Sequence, residues 1–184
     1  DVERSRGLGD VYKRQGFDLM LDVWQKVAPS HPDWILKIAG DGTTDSINEI
    51  EEMISQRGLE GKVRLLGQVS SICSLYQKTS IFALSSRVEG FPMGLIEAMS
   101  QGCACIAFSM QGAVNEIFGK SQSGIIIKDG AVDSFATELS KLISASEEQR
   151  SELGQRAIER SKDFSEEAFV AKWIKPVSYT HLTL

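Results

Sequence analysis

Short apolar, β-branched runs alternate with segments of helical period along nearly the whole chain, and that alternation constrains the fold more than any other feature. Phe17, Met20, Leu21, Trp24, Val27 and Ala28 share one helical face, and Trp34-Ile35-Leu36-Lys37-Ile38-Ala39 follows as a strand ending at Gly40-Asp41-Gly42. Ile47, Ile50, Met53 and Ile54 mark the next helical face, and Val63-Arg64-Leu65-Leu66 reads as a strand closed by Gly67. A short helix over 72–77 leads to the strand Ile81-Phe82-Ala83-Leu84, then to a loop and helix with Gly102 as C-cap. Further strands are expected at Cys103-Ala104-Cys105-Ile106-Ala107-Phe108 and Gly124-Ile125-Ile126-Ile127, separated by a turn and short helix at Gly112-Ala113-Val114-Asn115-Glu116-Ile117. Phe135, Leu139, Leu142 and Ile143 carry a long helix, and helical stretches are expected over 147–162 and 166–173. Such alternation predicts an α/β fold: a doubly wound, mostly parallel, Rossmann-like sheet of five strands.

The chain has 184 residues, enough for one domain with a sizeable core. Its formal charge of −5 argues against nucleic acid as a general partner. No apolar run approaches the roughly 20 residues of a membrane span, and no secretory signal is visible at the start. An odd set of cysteines, Cys73, Cys103 and Cys105, points to a reducing compartment. Cys103 and Cys105 alternate on a strand and read either as a metal pair or as small core residues, the core reading being favoured. His31, in a loop, and His181, in the tail, build neither a serine–histidine triad nor a histidine-rich metal centre, so no metal and no cofactor are expected.

Chemistry concentrates in Glu89-Gly90-Phe91-Pro92-Met93-Gly94-Leu95-Ile96-Glu97, where two carboxylates stand eight positions apart around a turn that opens a helix. Gly90 permits close approach of a ligand, and Pro92 suits a helix start because it has no N–H to offer. A helix N-terminus offers free N–H groups and a positive dipole end to a phosphate, while flanking carboxylates accept hydrogen bonds from sugar hydroxyls. The stretch follows a strand, at the carboxyl edge where open α/β sheets bind ligands. Glu89 and Glu97 could instead be a solvated loop residue and an ordinary helix residue. Against that, Glu97 interrupts an apolar run, where a charge needs a partner or a ligand.

The Glu89-x7-Glu97 element, with Glu97-Ala98-Met99-x-x-Gly102, resembles the nucleotide-sugar site of glycosyltransferase family 4, retaining enzymes of the GT-B fold. Further landmarks agree in order: Gly16-Phe17-Asp18, Ile38-Ala39-Gly40-Asp41-Gly42, Leu66-Gly67-Gln68-Val69, Ser85-Ser86 and Gly112-x-x-Asn115-Glu116-Ile117. The resemblance covers about 16–173 and implies the C-terminal, donor-binding half of a two-domain enzyme. It implies that Glu89 meets hydroxyls of the transferred sugar and acts in catalysis, and that Glu97 meets the ribose. It further implies that the N–H groups of Phe91, Met93, Gly94 and Leu95 cradle the diphosphate beside Gly90. Gln68 and Val69 would flank the base. Gly40 and Gly42 shape the cleft or form a plain turn. Ser85 and Ser86 approach the phosphates or cap a turn, and Glu116 is either the acidic residue of the site or a helix-start charge.

The expected parent enzyme moves a sugar from a nucleotide-sugar donor, a UDP-sugar, to the hydroxyl of a saccharide or lipid-linked saccharide acceptor, in surface polysaccharide or glycolipid synthesis. Its acceptor domain would be the missing N-terminal half, and its location cytoplasmic, with peripheral association at the inner membrane surface. The rivals are a nucleotide-sugar epimerase of the same architecture and a nucleotide-binding fragment inactive on its own. One departure stands out. The resemblance calls for an arginine and a nearby lysine before the helix at Phe17, to neutralise the leaving diphosphate. Lys13 and Arg14 lie there but do not match the pattern. Residues 1–15 and 176–184 fit no element and resemble translated adaptor sequence, so 16–175 is expected to be the domain, its first strand missing.

Overall fold

A computed structural model of the chain describes residues 15–165, 167 and 168. The expected non-native character of both tails, with Lys13 and Arg14, lies outside the described residues except at Gln15, and so does most of the 166–173 stretch. Seven α-helices and five strands alternate among the described residues: α1 (Phe17–Val27), β1 (Leu36–Ala39), α2 (Thr44–Gln56), β2 (Val63–Gly67), α3 (Ile72–Tyr76), β3 (Ile81–Leu84), α4 (Met93–Ser100), β4 (Ala104–Phe108), α5 (Ala113–Phe118), β5 (Ile125–Ile127), α6 (Val132–Ser144) and α7 (Glu147–Ser161). All observed strand pairings are parallel. They fall into two hydrogen-bonded pieces, β1-β2 and β3-β4-β5, where the sequence predicts a single sheet.

Some boundaries move. The first strand starts at Leu36 rather than Trp34, because Trp34 N–H is held by the turn carbonyl of His31 at 3.1 Å. The first ladder bond is Leu36 N–H to Lys62 O at 3.0 Å. Likewise Cys103 lies in a turn, its N–H bonded to Ala98 O at 3.1 Å, and β4 begins at Ala104. Pro92 caps α4 from outside instead of forming its first residue, and Gly102 follows the Gln101 C-cap at φ +80°.

β4 is buried at all five positions, as expected of a strand covered on both faces. One core packs Leu21, Val23 and Trp24 of α1 and Phe135 and Leu139 of α6 against Ala104, Ile106 and Phe108. Another, on the opposite face, joins Leu95, Ala98 and Met99 of α4 to Cys105, Ala107, Val114, Ile117 and Ala157. The alternation of β4 side chains between these cores is the period of a strand made visible. At one end of α1, Gly16 meets Ser85 beyond the carboxyl end of β3. At its other end, Trp24 Nε1 donates to Lys62 O, just before β2, at 2.8 Å. The helix therefore runs back across both pieces of sheet, and their strands point the same way.

Candidate donor-binding site

The loops that leave the carboxyl ends of the strands carry the expected residues. Gly40 follows β1 and bonds through its N–H to Gly67 O at 3.0 Å, drawing the ends of β1 and β2 together. Gly42 N–H donates to Asp41 Oδ1 at 2.9 Å, a local turn, and Gly40 has open space where a side chain would stand. Gln68 is exposed and Val69 half-buried just beyond β2. Glu116 is exposed in the first turn of α5, with its carbonyl gripped by Arg160 at 2.6 Å.

After β3 the chain makes its most elaborate turn. Ser85 and Ser86 are buried, Glu89 is half-buried, and Gly90 and Phe91 are exposed. Ser86 Oγ donates to Glu89 Oε1 at 2.5 Å, holding one carboxylate oxygen in place. Ser86 is thus engaged with Glu89 itself. The Ser85 hydroxyl donates to Gln15 O at 3.3 Å.

The start of α4 divides the four N–H groups assigned to the diphosphate into two kinds. Met93 N–H is bonded to Phe91 O at 2.9 Å and Leu95 N–H to Pro92 O at 3.0 Å. Phe91 and Gly94 N–H have no internal acceptor among the described residues, so these two are available to an anion. Pro92, between them, has no N–H and adds no donor to the turn.

Glu97 lies one turn into α4 and is half-buried between Ile96 and Ala98, which are 7 % and 0 % exposed. Its carboxylate has no hydrogen bond or ion pair among the described residues. Tyr76 stands beside it: burial first, then the negative charge of Glu97, pushes the phenol pKa up to about 12, so the hydroxyl keeps its proton. Sequence reasoning passes over Tyr76 because it sits in a five-residue helix with no motif around it. It also passes over Arg87, which lies inside the 85–89 turn and reaches back to Asp18.

Cys103 and Cys105 are buried in the second core, in agreement with the core reading of the pair. The Cys103 thiol lies 3.4 Å from Tyr76 O and the Cys105 thiol 3.3 Å from Cys103 O. No cluster of three or more metal-ligating side chains occurs among the described residues. No described helix is long and apolar enough to cross a membrane.

Known proteins share this architecture. The amylovoran biosynthesis glycosyltransferase AmsD of Erwinia amylovora is 31 % identical over 170 residues, which are 92 % of this chain and 46 % of that protein. The C-terminal domain of a glycosyl transferase group 1 family protein, LpcC, of Francisella tularensis superposes with a TM-score of 0.71 at 26 % identity, over 82 % of this chain and 79 % of that one. Anabaena HepE, solved in complex with UDP, superposes with a TM-score of 0.78 at 21 % identity, over 90 % of this chain and 45 % of that one. The chain spans about half the length of the curated relatives it matches. Its fold is that of the C-terminal half of a GT-B glycosyltransferase. The family model for glycosyl transferases group 1 matches residues 8–160, most of the chain, and the chain belongs to that family.

Proposed function

We propose that this chain is the donor-binding part of a retaining glycosyltransferase of family 4. The enzyme would transfer a sugar from a UDP-sugar to an acceptor hydroxyl in surface polysaccharide or glycolipid synthesis. The observation that carries this reading is the half-buried Glu97 carboxylate, unpartnered on the helix whose first turn leaves Phe91 and Gly94 N–H unbonded. A carboxylate so placed suits the two hydroxyls of a ribose, and the free N–H groups suit the neighbouring diphosphate. Glu89, steadied by Ser86, then meets the sugar on the far side of the phosphates.

The chemistry asks little of a protein base. Transfer requires the donor to be held in register with the acceptor and the departing diphosphate to be stabilised by fixed dipoles. Gln68 and Val69 flank the base, Gly40 and Gly42 border the cleft, and Glu116 lies beyond β4 on the same edge. The acceptor, a saccharide or lipid-linked saccharide, would be held by the other half of the enzyme, working in the cytoplasm at the inner membrane surface. No cofactor takes part beyond the nucleotide-sugar.

Titration calorimetry of the complete enzyme with UDP tests the central assignment. Glu97→Gln is expected to weaken UDP at least ten-fold. Unchanged affinity would remove the ribose role of Glu97. A proton NMR assay of the anomeric product decides retention, and a C2-epimerised free sugar in place of a glycoside would establish an epimerase instead.

A further inference from the structure

Glu89 lies on a loop between β3 and α4, so its aim depends on what that loop is tied to. Three of its ties lead to the start of α1. Asp18 grips Arg87 with both oxygens, Oδ1 to Nη1 at 2.7 Å and Oδ2 to Nη2 at 2.6 Å. Gly16 approaches Ser85 so closely that a Cβ there would stand 2.0 Å from Ser85 O. The Ser85 hydroxyl donates to Gln15 O at 3.3 Å.

The fork is the specific element among these. Asp22, one turn further along α1, is taken by Arg57 at 2.7 Å, which leaves Asp18 to Arg87. The hydrogen bonds from Arg87, assisted by its charge, outweigh burial and hold the Asp18 carboxyl below its ordinary range. Both side chains are more than a third exposed, at 36 % and 38 %, and ion pairs in such positions contribute little to global stability. A planar, two-pronged pair between elements 69 positions apart does fix orientation, and a lysine cannot reproduce it. Only Val88 separates Arg87 from Glu89, so the clamp acts two positions from the carboxylate.

We propose that Asp18 and Arg87 are positioning residues for the donor site: their two-pronged ion pair clamps the loop that carries Glu89 to the start of α1 and sets where the Glu89 carboxylate stands. The proposal rests on the reading of Glu89 as the group that meets the transferred sugar.

The test uses the complete enzyme with UDP-glucose, UDP-galactose and UDP-N-acetylglucosamine, following UDP release with the donor that turns over fastest, alongside amide hydrogen exchange of residues 85–91. Asp18→Ala is expected to speed exchange in that segment at least ten-fold and to lower kcat at least ten-fold. UDP affinity should move less than three-fold and the melting temperature hardly at all. The charge-swapped pair Asp18→Arg/Arg87→Asp should recover at least half of the lost kcat, whereas a merely structural role of the pair would lower the melting temperature and UDP affinity together with kcat in Asp18→Ala and so overturn the proposal. Wild-type exchange and kcat in Asp18→Ala, with Glu89→Ala still inactive, would overturn the clamp and leave the donor-site reading intact. Wild-type turnover in Glu89→Ala would overturn that reading, and the proposal with it. Should Asp18→Ala fail to fold, Asp18→Asn keeps one acceptor oxygen and is read against the same outcomes.

Discussion

Asp129 accepts the N–H of Met110 at 2.7 Å, and its other oxygen accepts Gln111 N–H at 3.1 Å, closing the turn that leaves β4. The Ser109 hydroxyl adds a third bond at 2.8 Å. The turn needs such support, because Met110 and Gln111 both hold positive φ, at +46° and +55°. Each departure of that kind costs about 1–2 kcal/mol in a residue with a side chain. The register explains how one residue reaches all three donors: Phe108 pairs with Ile127, and Asp129 lies two positions beyond.

Asp129→Ala is therefore expected to destabilise the fold by about 1–2 kcal/mol, the low end for hydrogen bonds to a charged acceptor because Asp129 is exposed. Burial pushes the Asp129 pKa up. The Ser109 hydroxyl and the N–H groups of Gln111, Met110 and Ser109 outweigh it, so the net shift is downward. A depressed folded-state pKa gives stability that is fully present above the ordinary value near ~4 and lost as pH falls through the folded value. Urea unfolding should show the wild-type advantage at pH 7 shrinking below about pH 4. A constant difference between wild type and Asp129→Ala down to the acid limit would contradict this account.

How much of this was legible beforehand depended on the range of the interaction. Alternating periods report burial, and so the sequence revealed every strand and α-helix from Phe17 to Ser161 to within a few residues, but not the short 3-10 turns between them. The Glu89–Glu97 turn was legible because its glycine, proline and carboxylates are local constraints on one short segment. The engagement of Met93 and Leu95 N–H was not, since it depends on Pro92 standing outside the helix. Nor were Asp18–Arg87 and Asp129–Met110 legible, because partners far apart in sequence meet only once the sheet has formed. The division of the sheet into two pieces has the same origin: a pattern identifies strands but not which edges bond.

Gly154 lies where α7 crosses the end of α4, and a Cβ there would stand 2.1 Å from Gly102 O. In an open helix the change Gly154→Ala would gain about 1 kcal/mol of helix propensity. Here the backbone contact must open, and overpacking of that kind costs about 1–3 kcal/mol or more. The clash should win, lowering the melting temperature of Gly154→Ala below wild type. A raised melting temperature would show that α7 can move away freely.

The cysteines should differ sharply in reactivity. Burial pushes the Cys103 thiol up to about 11 and the Cys105 thiol well above its ordinary value, while Cys73 is exposed. The thiolate is the reactive form, so native protein treated with iodoacetamide at pH 8 should carry its alkyl group on Cys73 and not on Cys103 or Cys105. Peptide mass mapping reads this directly, and all three should react in denaturant. Native labelling of Cys105 would mean that the core around β4 opens readily.

Arg160 offers the sharpest test of how α7 supports the site edge. Its guanidinium donates through Nε to Ile117 O at 2.7 Å and through Nη2 to Glu116 O at 2.6 Å, satisfying carbonyls near the end of α5. The same group lies 4.8 Å from the Phe164 ring, and that ring lies 6.1 Å from Phe91, beside the candidate phosphate-binding turn. Removal of the fork leaves the carbonyl of Ile117, a residue only 1 % exposed, without its charged donor, while that of the exposed Glu116 turns to water. Arg160→Ala should then cost about 2–3 kcal/mol. Arg160→Lys should recover less than half of that, because an ammonium cannot donate in two fixed, parallel directions. Equal stability of Arg160→Lys and wild type in urea unfolding would reduce the role of Arg160 to its charge beside Asp163, at 2.5 Å.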